Sequence, residues 1–218
     1  MPRNKYPEVT VKKILDVSLR LFLEKGYEQT TVLDIVANLG GLTRGAFYHH
    51  FKSKEEVLGA IMDESFHVSP AFERAKHAEV SSGLERARLA LKGALLENVE
   101  SEERTAVTHL AMSFMNNPRF LAEKLKGDIQ TASLLTPMIE EGMADGSIRP
   151  GNPKALAELF MVLVNLWMMP AIFPAEPEET FAKGEMVIEI LDGLGFPVLD
   201  EEMREIFKGV AHAILHGE

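Results

Sequence analysis

The 218-residue sequence contains no cysteine, which excludes a disulfide framework, a thiolate metal site and a cysteine nucleophile. No apolar run approaches the ~18 uninterrupted residues of a membrane span, and Met1 to Lys5 lead into no signal-peptide core; a cytoplasmic location is expected. There is no Gly-x-Ser-x-Gly elbow and no phosphate-cradling glycine loop after a strand. Positive charge is also scarce, with 23 Lys and Arg against 33 Asp and Glu for a formal charge of −10. Spread evenly, that charge would repel nucleic acid.

It is not spread evenly. Residues 1–55 carry nine Lys and Arg against six Asp and Glu, a net +3, so the remaining residues hold −13. A small basic head on a larger acidic body points to a polyanion partner for one end. The composition otherwise, 46% hydrophobic and 26% charged, is that of an ordinary globular chain of one or two domains.

Apolar residues recur at intervals of three and four along nearly the whole chain, with almost no two-residue alternation, so an all-α fold is expected. Ile14, Leu15, Val17, Leu21 and Phe22 form one stripe of a first helix over 9–25, with Gly26 after its C-terminus. Thr30 or Thr31 caps a short second helix with Asp34 in its first turn, and Gly40 and Gly41 end it. Thr43 caps a third helix running to Phe51, and Ser53 with Glu56 forms a capping box for a long fourth helix over 54–78.

A glycine turn between two short helices is the helix-turn-helix signature, which predicts a DNA-binding domain over 1–53 followed by a helical body over 54–218. In a reader helix opening at Thr43, the exposed Thr43 and Arg44 reach base edges or phosphates. Gly45 and Ala46 are small enough for close approach to the groove. Tyr48, His49, Lys52 and Lys54 supply donors for phosphates, and Thr31 offers a hydroxyl and backbone amides to another. His50 is expected to pack within the head, and Arg3 and Lys5 form an N-terminal arm that reaches towards the DNA.

The run Thr30-Thr31-Val32-Leu33-Asp34-Ile35-Val36-Ala37, followed by Gly41-Leu42-Thr43-Arg44-Gly45-Ala46-Phe47-Tyr48-His49-His50-Phe51-Lys52-Ser53-Lys54-Glu55-Glu56, resembles the DNA-binding head of the tetracycline-repressor (TetR) family. The resemblance covers roughly the first quarter of the chain. It implies DNA contacts at Thr31, Thr43, Arg44, Tyr48, His49 and Lys54, and a head core containing Ile35, Ala37, Phe47 and Phe51. Leu33 stands where the family often has a basic residue. The implied activity is direct repression from a palindromic operator by a homodimer, relieved by a small-molecule effector.

Further helices are expected over 82–100, 102–116, 119–144, 153–172, 177–193 and 200–216, with Pro137 kinking or splitting its helix and 142–151 as a connection. Leu156, Phe160 and Leu163 on one helix and Met186, Val187, Ile190 and Leu194 on or just after another are the candidate dimer interface; the family resemblance implies that this pair forms a four-helix bundle with its mate. Met112, Met115, Met138, Met161 and Met168, with His109, Asn165 and Trp167, are the candidate lining of a pocket for an apolar or aromatic effector, methionine being flexible and polarizable. The same methionines at helical spacing also read as plain core.

A helical enzyme or metalloprotein is the rival reading. Glu64 and His67 have the Glu-x-x-His spacing of di-iron bundles, but such sites need two copies; His212 and His216 lie one turn apart with no third ligand evident. A second alternative is a constitutive DNA-binding protein without effector control. No enzymatic activity, cofactor or metal is expected.

Overall fold

The computed structural model describes residues 7–65, 69–99, 110, 114 and 117–206. Among them every regular element is helical. They fall into two compact units.

The first unit is made of α1 (Pro7–Lys25), α2 (Val32–Asn38), α3 (Arg44–His50) and α4 (Lys54–Ser65). α1 packs on both α2 and α4, and α2 on α3. Its core is built from Ile14, Leu15, Leu21 and Phe22 of α1, Ile35 and Leu39 around α2, Phe47 and Phe51 around α3, and Val57, Leu58, Ile61 and Met62 of α4. The stripe expected on α1 is therefore the buried one, with Val17 half-buried beside it. α4 adds four residues to this core, and the first compact unit includes it. Ala37, expected in the core, is exposed; a seven-residue helix buries one narrow stripe, and Ile35 and Leu39 occupy it.

The fourth helix is shorter than its sequence pattern suggests. α4 ends at Ser65, and a separate α5 (Pro70–Lys76) starts with Pro70 at its first position and the Ser69 hydroxyl accepting from Ala71 N. Proline is favourable at the start of a helix and disruptive inside one, so the apolar periodicity across Pro70 belongs to two helices.

The second unit holds α5, α6 (Gly83–Val99), α7 (Pro118–Asp145), α8 (Pro153–Val162), a π-helical turn continuing it (Leu163–Trp167), α9 (Pro177–Gly193) and a helical segment over 201–206. α6 packs on α5 and α7, and α7 on α8. Phe72, Leu84, Ala87, Leu91, Leu135, Ile139, Ile148, Phe160, Val187, Leu191 and Phe196 share one core. Pro137 does not divide α7; Leu135, Met138 and Ile139 around it are buried, and that packing outweighs the loss of one backbone hydrogen bond. The α8 helix gives way to the π turn after Val162 rather than running to 172, and Pro170 lacks the N–H a further turn would need. Of the expected helix over 102–116, only Leu110 and Phe114 are described.

Two contacts fasten the body. A Cβ on Gly83 would lie 2.0 Å from the backbone N of Gly142, so α6 and α7 meet backbone to backbone at its start. There Asp145 Oδ2 accepts from Gly83 N at 2.7 Å and caps α6 from the end of α7. Arg86 is the second fastening. Its Nε donates to Glu141 at 2.7 Å, and Nη1 donates to the carbonyls of Ala75 and Ala78 at 2.7 and 2.9 Å. One guanidinium thus closes the C-terminal end of α5 and ties it to α6 and α7. Arg86→Ala is expected to cost about 2 kcal/mol of stability through the carbonyls and carboxylate left behind, measured by urea unfolding; an unchanged midpoint would show that water replaces the arginine without loss.

Candidate functional site

The α2–turn–α3 unit is built by local chemistry. Thr31 caps α2: its hydroxyl accepts from Asp34 N at 3.1 Å, while the Asp34 carboxylate accepts from Thr31 N at 2.9 Å and from the Thr31 hydroxyl at 2.6 Å. These bonds, led by the Thr31 hydroxyl and joined by Lys25 at 3.1 Å, pull the Asp34 carboxyl down to about 2. Its ionised form is the one that the fold favours. The resulting stability is complete above the ordinary aspartate value of 3.8 and is lost as pH falls through about 2. Gly40 and Gly41, with φ of 60° and 97°, turn the chain between the helices in a region that side chains other than glycine rarely adopt. Thr43 then caps α3, its hydroxyl accepting from Ala46 N at 3.2 Å.

Phe47 is fully buried under α3, and that anchor decides which way the helix faces. Thr43, Arg44, Gly45, Tyr48 and His49 are all exposed, Ala46 and His50 are half-buried, and Lys52 is exposed just beyond. Arg44 lies over the Tyr48 ring with its guanidinium carbon 5.4 Å from the centroid, one helical turn away. A cation–π pair of this kind holds two long side chains on one outward ridge. A Cβ on Gly45 would meet only the Thr43 hydroxyl, at 3.8 Å, so a flat surface can approach the backbone there. The half-buried His50 has its ring against that of His49 at 5.1 Å. Leu33 is 60% exposed on α2 and brings no charge.

Lys54 is placed differently from the phosphate clamp expected of it. Its ammonium donates to the Tyr27 carbonyl at 2.9 Å and lies 4.2 Å from the centroid of the Tyr27 ring, with its side chain only 18% exposed. Burial, with the Glu55 carboxylate beside it, pushes the Tyr27 phenol well above its usual value. Lys54 therefore fastens the start of α4 to the α1–α2 connection. Lys54→Ala is expected to lower the head's stability by about 1–2 kcal/mol while leaving the slope of log affinity for duplex DNA against log salt almost unchanged. A slope shallower by about one for each bound head would place the ammonium on a phosphate instead.

In the body, the candidate effector residues separate. Met138 and Met161 are buried in the core, Trp167 and Met168 pack against it half-buried, and His109, Met112 and Met115 lie outside the described residues. Asn165 is brought into a polar group that the sequence reading missed: Lys124 Nζ donates to Asp128 Oδ2 at 2.7 Å, and Asn165 Nδ2 donates to Asp128 Oδ1 at 2.9 Å. The signal was present. Phe120, Lys124, Asp128, Leu135 and Met138 follow the helical spacing of one stripe, so two charges occupy positions of an otherwise apolar face.

The candidate interface also separates. Leu156, Phe160, Leu163 and Val187 belong to the chain's own core, leaving little of them for a mate; Ile190 is half-buried, and Met186 and Leu194 are exposed. α8 is apolar on two sides, and its outer side is Leu159 and Val162, 37% and 47% exposed. Glu64 and His67, and His212 and His216, form no described site, since the Glu64 side chain and residues 67, 212 and 216 fall outside the described set. Among the described residues no three potential metal ligands come together, and no helix is long and apolar enough to cross a membrane.

Residues 14–61 match the profile described as bacterial regulatory proteins, tetR family. The HTH-type transcriptional repressor KstR2 of Rhodococcus jostii is 31% identical over 205 residues, covering 85% of this chain and 91% of that protein. The fold is similar to that of AibR in complex with isovaleryl coenzyme A and operator DNA, with a TM-score of 0.53 and 21% identity over 86% of this chain and 98% of the other. It is also similar to SmeT, the repressor of the Stenotrophomonas maltophilia multidrug efflux pump SmeDEF, in its triclosan complex, with a TM-score of 0.61 and 23% identity over 85% of this chain and 91% of the other.

Proposed function

Because this chain belongs to the tetR family of bacterial regulatory proteins, we propose that it is a dimeric transcriptional repressor that binds a palindromic operator through α3 and releases it on binding a small apolar or aromatic effector. The carrying observation is the outward ridge of α3, where Thr43, Arg44, Gly45, Tyr48 and His49 are exposed over a buried Phe47. Arg44, Thr43 and Tyr48 address base edges and adjacent phosphates, and Lys52 and His49 add donors for the backbone. Thr31 acts through the cap: its hydroxyl and its N–H both donate to Asp34, so it shapes the start of α2 rather than giving a donor to a phosphate.

Two copies are needed because a single short helix reads too few base pairs for specificity, whereas two heads one helical turn of DNA apart read a two-fold site. The mating face is assigned to the exposed side of α8, Leu159 and Val162, with Met186 of α9 and Leu194 beyond it. The four expected residues in the protomer core support this face from behind. The body gives no motif for catalysis, and its interior is apolar, which matches the apolar or aromatic class of effector. KstR2 is named as a repressor, and the AibR and SmeT structures hold small molecules; those names support repression and effector control here. The site of action is the cytoplasm.

The test is fluorescence anisotropy of the full chain on a duplex recovered by its own selection from a random pool. Affinity is expected to fall steeply with salt, and at least one member of an apolar compound library is expected to release the DNA. Binding that no compound alters would leave a constitutive DNA-binding protein.

A further inference from the structure

The body holds a buried ion pair in a place where apolar residues would pack as well. Lys124 and Asp128 lie one turn apart on α7, with side chains only 10% and 16% exposed. Taking two charges out of water costs several kcal/mol per ion, and an apolar pair of similar volume is commonly as stable or more so. Stability alone therefore does not account for the pair. Asn165 reaches it from the π turn at the end of α8, an irregularity that adds one residue to a helical turn and re-aims the side chains beyond it.

The hydrogen bonds define what this cluster still offers. A carboxylate only accepts, so the Asn165 group facing Asp128 is its NH2, and the amide oxygen is turned away. Asp128 has a donor on each oxygen. Among the described residues Lys124 has one bond, to Asp128, which leaves two ammonium N–H donors uncommitted. The cluster thus presents spare donors from Lys124 and a spare acceptor from Asn165. The surroundings along the helices are apolar: Phe120 and Ala132 lie one turn to either side on α7, and Met161 and Met168 bracket Asn165.

We propose that Lys124, Asp128 and Asn165 are the polar recognition point of the effector site, and that the effector is a neutral apolar molecule bearing a carbonyl or hydroxyl oxygen. The charge balance selects this class. The pair is already neutral, so a neutral oxygen takes a Lys124 hydrogen bond at no electrostatic cost, and a hydroxyl also donates to Asn165. An anionic head would leave a net buried negative charge, and a cationic head would face the Lys124 ammonium. This inference rests on the reading of the body as an effector chamber.

The chain reports on itself, because Trp167 is its single tryptophan and lies two residues from Asn165. Binding of naphthalene, 2-acetonaphthone, 2-naphthol, 2-naphthoate and 2-naphthylmethylammonium to the full chain is measured by calorimetry and by quenching of Trp167. The ketone and the naphthol are expected to bind at least about tenfold more tightly than naphthalene, the anion or the cation. That preference is expected to vanish in the double variant Lys124→Met with Asp128→Leu, which removes both charges together, whereas Asn165→Leu is expected to weaken the naphthol several-fold and leave the ketone unchanged; circular dichroism checks the fold, and Asn165→Leu keeps the test sound if the double variant fails to fold. Equal binding of all five by parent and variants would overturn the cluster's role and leave the chamber standing, and tightest binding of a charged probe would overturn the ligand class. Binding of none would remove the chamber reading and the proposal together.

Discussion

An Arg44→Ala variant is expected to bind its selected operator about 30-fold to 25,000-fold more weakly than the parent while folding normally. A bidentate arginine contact to a base edge discriminates by roughly 1–3 kcal/mol, and a two-fold dimer loses it twice, so the whole complex loses roughly 2–6 kcal/mol. The variant's helix should be intact, since Arg44 is exposed and among the described residues its side chain meets the Tyr48 ring. The effect should also be selective. Binding to unrelated duplexes depends on phosphate neutralisation and should weaken far less, so the ratio of specific to non-specific affinity collapses. A uniform loss on every sequence would make Arg44 a phosphate ligand and move base readout to Thr43, Tyr48 and His49.

The second large effect is expected from Val162→Glu. Val162 is 47% exposed on the outer side of α8, so the substitution leaves the protomer core alone and places a carboxylate where the mate's Leu159 and Met186 are assigned. An unpaired charge in the centre of an apolar interface costs several kcal/mol. The variant should be a monomer by light scattering at micromolar concentration, with an unchanged helical spectrum, and should lose about 100-fold or more in operator affinity because the two half-sites are no longer bound as one. A dimer that survives this change would place the interface elsewhere on the body.

How far the sequence reveals this protein depends on the range of the interactions involved. The head was readable because its signals are local. The Thr31–Asp34 box, the two left-handed glycines and the Thr43 cap each lie within four residues of the groups they satisfy, and together they fix where α3 starts and which side Phe47 buries. Lys54 escaped because its partners, the Tyr27 carbonyl and ring, are 27 residues away, and nothing near Lys54 distinguishes a fastening lysine from a DNA-facing one. In the body the elements were legible but their faces were not. A helix apolar on two sides, such as α8, does not say which side meets its own core, so Leu156 and Phe160 looked like interface as readily as Leu159 and Val162. Lys124 and Asp128 sit at one-turn spacing on an otherwise apolar stripe of α7, which does not say what lies against them, and Asn165 joins them only through a π turn that no periodicity announces. Pro137 failed to break α7 because tertiary packing overrode local propensity.

The most direct test of the central claim, that the ridge of α3 reads a two-fold DNA site, is selection of the full-length protein against a random-sequence duplex pool, in parallel with an Arg44→Ala, Tyr48→Ala variant. The account predicts that the parent enriches a palindrome whose half-site centres lie about 34–36 Å apart or at a multiple of that spacing, and that the variant enriches nothing above background. Enrichment of the same palindrome by the variant, or of no symmetric sequence by the parent, would contradict it.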